Sequence, residues 1–179
     1  MFQEDWQTIK DFVIVISESL GIAENGTHVS VTTFHHEAEL EIKFSDHQSH
    51  PSFVNAINAI SNVLEGPTNP YVGFNVSLDE MFSERNGMRN DTPKIMLYLT
   101  DGRCTQSECS LSKYDEWKRK FNEKDIKLFG VGVGDSVNWT EIERFVGNNF
   151  FGKDDISDIL SPKFLRDLSI CDGNYLFLP

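Results

Sequence analysis

No apolar run in this 179-residue chain approaches the length of a membrane-spanning helix. The opening Met1-Phe-Gln-Glu-Asp5 has neither a basic n-region nor an apolar h-region. As written, the chain reads as soluble, either cytosolic or with its targeting segment outside this sequence. Positive charge is scarce as well: 16 Lys and Arg stand against 28 Asp and Glu, a net charge of −12. That balance leaves no basic stripe for nucleic acid or an anionic membrane. Catalytic signatures are missing too. There is no Gly-x-Ser-x-Gly elbow, no Cys or Ser in a triad-like setting and no standout acid–base pair of carboxylates, which argues against an enzyme. His35, His36, His47 and His50 follow no closed zinc spacing and have no thiolate nearby, so they read as loop and strand-end residues. Gly130-Val-Gly-Val-Gly134-Asp135 fails as a dinucleotide fingerprint, because its valines continue a strand and the helix after it is short. Internal repeats, low-complexity stretches and dividing linkers are absent, and the length suits one domain.

Cysteine is sparse, with only Cys104, Cys109 and Cys171. The first two are close enough to bridge within one loop, which leaves Cys171 without a mate in this count. Four glycosylation sequons begin at Asn25, Asn75, Asn90 and Asn138 and lean the reading toward secretion.

Hydrophobic period places the elements. Trp6–Leu20 has helical spacing with one buried face, stopped at Gly21. Val29–Phe34 is a β-branched strand, and Ala38–Phe44 alternates strictly, with Leu40, Ile42 and Phe44 inward. That alternation predicts a hairpin partner at a sheet edge. Ser52–Leu64, Phe74–Phe82, Tyr114–Asn122, a short stretch from Trp139 to Val146, and Ile156–Ile170 read as helices. Ile95–Leu99, Lys127–Val133 and Asn149–Phe151 read as strands, and Gly173–Pro179 as an extended tail. Strands alternating with helices predict an α/β doubly wound, mostly parallel sheet with helices on both faces and one antiparallel edge strand.

The apolar strand Ile95–Leu99 ends in Thr100-Asp101-Gly102. Ligands of open α/β sheets bind just outside the carboxyl ends of the strands, so Asp101 stands where a cation or polar ligand would sit. Thr68, in Gly66-Pro-Thr-Asn69 before a helix, offers a hydroxyl on a second loop. A hydroxyl and a carboxylate suit a hard cation that keeps several waters.

The ordered set of elements resembles the von Willebrand factor type A domain, also called the integrin I-type domain, over nearly the whole chain. The residues that carry it are Asp5-Trp6 to Val13, Val29–Phe34, Lys94–Gly102, Leu128–Gly134, Trp139 to Phe145, Phe150-Phe151, Phe164-Leu165 and Cys171. On that resemblance, residues 1–173 are the domain and 174–179 a tail. Two parts of the family's metal-ion-dependent adhesion site have matches, Thr68 and Asp101. The Asp-x-Ser-x-Ser part has none, because the chain starts at about the family's first helix. The implied site is therefore incomplete, with Mg²⁺ or Mn²⁺ held weakly if held. The implied function is a protein-binding module for a matrix or cell-surface ligand, secreted or extracellular. Its face would be Thr68, Asn69, Asp101 and Arg103, stiffened by a Cys104–Cys109 bridge. The alternative is an intracellular scaffold of the same fold within a larger complex. The resemblance also predicts a vacant central strand position, which Tyr175 to Leu178 could enter from the tail.

Overall fold

The computed structural model describes residues 3–61, 67–105 and 109–152, with side chains from Trp6 onward. Within them, strands β3 (Lys94–Thr100), β4 (Ile126–Gly132) and β5 (Phe150–Phe151) form a parallel sheet in the order β3-β4-β5. Lys94 pairs with Ile126 and Thr100 with Gly132, a ladder without a slip. β4 lies in the middle, and every residue in it except Lys127 is buried. The continuous apolar run follows from this, since a strand covered on both faces has no wet side to alternate with. Strands β1 (Val31–Phe34) and β2 (Ala38–Ile42) form a separate antiparallel pair.

Helices cover both faces, as the sequence predicts. Helix α1 (Gln3–Leu20) packs Phe12 and Ile16 on Phe129, Val131 and Val133. Gly21 ends it in the left-handed region at φ 65°. Helix α2 (His50–Ala59) buries Phe53 and Ile57 under the β1–β2 pair. The opposite face of the parallel sheet carries α3 (Pro70–Val76), α4 (Leu111–Glu123) and α5 (Trp139–Val146) around an aromatic core. Phe74 is its centre, stacked on Phe145 with ring centroids 4.1 Å apart and meeting Tyr98 edge-on at 5.3 Å.

Several boundaries differ from the sequence reading. α2 begins at His50 because Pro51 is tolerated in a helix's first turn. The helix expected over Phe74–Phe82 starts earlier, at Pro70, and runs into a single π turn at Ser77–Met81. Its true start is set by Asn69, whose Oδ1 accepts the Tyr71 N–H at 3.1 Å. β1 starts at Val31 rather than Val29, and β2 stops at Ile42, with Phe44 still packed on the aromatic core. The hairpin is also not joined to the parallel sheet among the described residues. Val63, Leu64, the helix expected at Ile156–Ile170, Cys171 and the tail lie outside the described residues.

The glycines of β4 serve packing. A Cβ on Gly130 would meet Ile142 Cγ2 at 2.6 Å, and one on Gly132 would meet the Trp139 ring at 2.4 Å. Their absence of side chain lets α5 lie directly on the strand.

Candidate functional site

β3 delivers Asp101 to the carboxyl end of the sheet. Thr100 is buried, and its Oγ1 accepts the Gly102 N–H at 3.0 Å, closing the chain into a tight turn. Gly102 sits at φ 71°, and a Cβ there would lie 2.4 Å from the Asn138 carbonyl oxygen. Only glycine fits both demands. Asp101 Oδ1 accepts the Arg103 N–H at 3.0 Å, and its carbonyl accepts the Asn138 N–H at 2.8 Å. Arg103 Nε and Nη2 both donate to the Ser136 carbonyl, at 3.0 and 2.8 Å, so the guanidinium lies along the loop that follows β4.

Thr68 and Asn69 arrive on the loop before α3. The Asn69 N–H donates to the His35 carbonyl at 2.7 Å, which fixes this loop to the end of β1. Thr105 joins it to the Asp101 loop. The Thr105 N–H donates to the Thr68 carbonyl at 3.0 Å, and the Thr68 N–H donates to Thr105 Oγ1 at 2.7 Å. This reciprocal pair brings the loops of Thr68, Asn69, Asp101 and Arg103 together.

Cys104 and Cys109 are bridged, with Cα atoms 5.8 Å apart. Three anchors hold the bridged loop. Thr105 is one. A second is Glu141 of α5, whose Oε2 accepts the Cys104 N–H at 3.2 Å and the Tyr114 hydroxyl at 2.6 Å, while Oε1 accepts Asn138 Nδ2 at 2.7 Å. The third is Tyr71, whose hydroxyl donates to the Ser110 carbonyl at 3.1 Å and accepts the Ser110 N–H at 3.3 Å. Burial raises the Tyr71, Tyr98 and Tyr114 hydroxyls above the usual phenol value, with the carboxylate of Glu141 adding to the rise in each case.

Sequence reasoning missed Thr105, Glu141 and Tyr71. A signal existed for Glu141: Asn138 stands at the N-cap position of α5, without a side-chain capping bond, and Glu141 follows three residues later, the spacing of a capping box. Of the sequon asparagines, Asn25, Asn75 and Asn90 are exposed, whereas Asn138 is half-buried with its amide held by Glu141. Arg89 Nη2 donates to the Gly26 carbonyl at 2.7 Å, so Asn25 and Asn90 lie near the amino-terminal end of β3, opposite Asp101.

As a cation site the cluster offers two hard oxygen donors, the Thr68 hydroxyl and the Asp101 carboxylate, of which one oxygen already accepts from Arg103. Among the described residues no group of three or more His, Cys, Asp and Glu gathers to hold a metal. The donors suit Mg²⁺ or Mn²⁺ in kind.

A family model for the von Willebrand factor type A domain matches residues 1–161. The chain belongs to that family. Among curated relatives of this type A domain, matrilin-1 of Gallus gallus is 25% identical over 134 residues, covering 75% of this chain and 26% of the relative. Integrin alpha-M of Mus musculus is 29% identical over 140 residues, covering 78% and 12%. The von Willebrand factor of Rattus norvegicus is 23% identical over 158 residues, covering 88% and 32%. The chain thus spans about a third or less of these relatives. Among solved structures, proximal thread matrix protein 1 of the mussel byssus, with a zinc-occupied MIDAS motif, superposes at TM-score 0.79 with 21% identity, covering 94% of this chain and 43% of that one. Manganese-loaded TRAP protein of Plasmodium vivax superposes at TM-score 0.70 with 13% identity, covering 84% and 63%. Both likenesses show the type A fold.

Proposed function

We propose that this chain is a protein-interaction module of the adhesion and matrix kind, working outside the cell. Its ligand face is the loop cluster of Thr68, Asn69, Asp101 and Arg103, walled by the Cys104–Cys109 loop. The observation that carries the reading is the Thr68–Thr105 pair, which ties two separate loops into one surface at the carboxyl end of the sheet. Glu141, the carboxylate beneath the face, is engaged in three hydrogen bonds that brace it. Membership of a family that includes matrilins, integrins and von Willebrand factor supports the matrix partner. The disulfide supports an oxidising compartment. Glycans at Asn25 and Asn90 would decorate the opposite end and leave the face clear. A glycan at Asn138 would compete with its bond to Glu141. With two donors present, Mg²⁺ or Mn²⁺ strengthens binding little, and the ligand is read mainly by direct contact.

Binding of the chain to immobilised collagen, laminin and fibronectin tests this. The expected result is saturable binding to a matrix protein that falls at least about tenfold in an Asp101→Ala, Arg103→Ala double variant, the loss of about 1.4 kcal/mol. Equal binding by the double variant, or no binding to any of the panel, overturns the proposal.

A further inference from the structure

The hairpin of β1 and β2 turns through His35, His36 and Glu37, between the paired residues Phe34 and Ala38. Backbone bonds hold this turn. The His35 N–H donates to the Glu37 carbonyl at 2.8 Å, and the His35 carbonyl accepts the Asn69 N–H at 2.7 Å. His35 is half-buried, and His36 is exposed at the tip. Consecutive side chains of a regular strand point to opposite faces. The turn cancels that alternation, and the two imidazoles meet. Their ring centroids are 4.2 Å apart with planes tilted by 54°, and the two Nδ1 atoms lie 2.5 Å apart. The other loop histidines are engaged differently. His47 Nδ1 bonds Ser52 Oγ at 2.7 Å, and His50 Nε2 stands 3.4 Å from the Ile14 carbonyl oxygen.

Two Nδ1 atoms aimed at each other cannot both present bare lone pairs. A positive centre, either a proton or a metal ion, lies between them. A proton makes one N–H···N bond, whereas a metal ion uses both lone pairs at once. Nitrogens bound to one ion at about 2.0–2.1 Å, in right-angled to tetrahedral directions, stand about 2.9–3.4 Å apart. The rings need to part by less than about 1 Å to reach that spacing. His36, with solvent around it, is free to make the move, while the turn keeps His35 in place.

We propose that His35 and His36 form a two-imidazole site for a divalent transition ion of the Cu²⁺ and Zn²⁺ class, bound through both Nδ1 atoms. Imidazole suits these ions, and Cu²⁺ stands above Zn²⁺ in affinity for a given nitrogen site. Mg²⁺ and Mn²⁺ prefer oxygen, so the pair is chemically distinct from Thr68 and Asp101. A structural zinc site fills four positions with protein donors. Here two are filled, and the rest of the coordination sphere is left to water or to a donor on a second molecule. The His35–Asn69 bond sets this tip beside the loop of Thr68. The proposal is independent of the ligand-face reading, since it needs only the hairpin turn.

Calorimetric titration of the full chain with Cu²⁺ and with Zn²⁺ tests it. The expected result is saturable binding of both, Cu²⁺ the tighter, with the tightest Cu²⁺ site weakened at least about tenfold in His36→Ala. That variant leaves the His35 bonds to Glu37 and Asn69 in place, so the turn persists. A His47→Ala, His50→Ala double variant is expected to keep the site. Nuclear magnetic resonance on the unmodified chain supplies a second arm. Substoichiometric Cu²⁺, which is paramagnetic, is expected to broaden the His35 and His36 ring signals before those of His47 and His50. Absence of saturable Cu²⁺ binding, equal affinity in His36→Ala, or earlier broadening at His47 or His50 overturns the proposal.

Discussion

Asp101 shows how a loop uses the side chain that a ligand would meet. One carboxylate oxygen holds the Arg103 N–H, and its backbone carbonyl holds Asn138. The carboxylate keeps acceptor capacity on both oxygens, with the Thr68 hydroxyl on the neighbouring loop. Hard cations need six or more oxygens, so a cation held by these two protein donors alone would keep most of its waters and bind weakly. Calorimetric titration with Mg²⁺ or Mn²⁺ is expected to give a dissociation constant no tighter than about 0.1 mM, the weak end of oxygen-ligand sites. Submicromolar affinity that vanishes in Asp101→Ala would falsify the two-donor description. Thr68 and Asp101 were legible in sequence because each sits beside its own local signal, a helix start and a strand end. The clasp of Thr105 on Thr68 and the reach of Glu141 to Cys104 were not, because the partners lie 37 residues apart along the chain. No local pattern encodes such a meeting.

The Cys104–Cys109 loop is held at both ends, by Glu141 and by Tyr71, and hands Thr105 to Thr68. On the chain-entropy view a loop this small stabilises by roughly 2 kcal/mol when bridged. Reduction is therefore expected to lower the melting temperature by about 4–8 °C, at roughly 2–4 °C per kcal/mol for a chain of this size. Calorimetry with and without a dithiol checks this, and an unchanged midpoint would show that the three anchors hold the loop unaided. On β4, Gly130→Ala places a methyl 2.6 Å from Ile142 Cγ2, on a β-branched side chain with little freedom to turn away. A cost of about 1–3 kcal/mol is expected in urea unfolding, the usual range for overpacking. A loss below about 0.5 kcal/mol would mean that α5 shifts off the sheet without penalty.

The aromatic core ties the loop-cluster end of the molecule to its stability at high pH. Tyr98 and Tyr114 are buried, and burial, the first cause in both, holds their hydroxyls above the ordinary value of 10.0. A pKa raised by folding contributes stability that is complete below the unfolded value and is lost as pH rises above it. Stability is thus expected to be flat with respect to these groups up to about pH 9 and to fall above about pH 10. Spectroscopic titration near 295 nm should show Tyr98 and Tyr114 ionising only as the chain unfolds. Full ionisation of every tyrosine near pH 10 in folded protein would contradict the buried assignment.

Sequence by itself determined the kind and order of the elements, because apolar period depends only on which face each residue shows to a core. Ile95 to Leu99 and Leu128 to Val131 read as covered strands for that reason, and Trp139 to Val146 as a helix with one buried side. Asp101-Gly102 was also readable, since a strand end followed by glycine is a local event. Only the tertiary structure decided which edges pair. The hairpin with β2 was legible from the alternation of Ala38–Phe44, but a strand's backbone donors and acceptors are the same at every residue, so nothing in Val31–Phe34 says that its ladder does not also extend to β3. It also decided that β4's glycines seat α5 on the sheet and that Thr105 clasps Thr68. Those outcomes depend on distances between segments far apart in the chain, which form only once helices on both faces have brought the segments together.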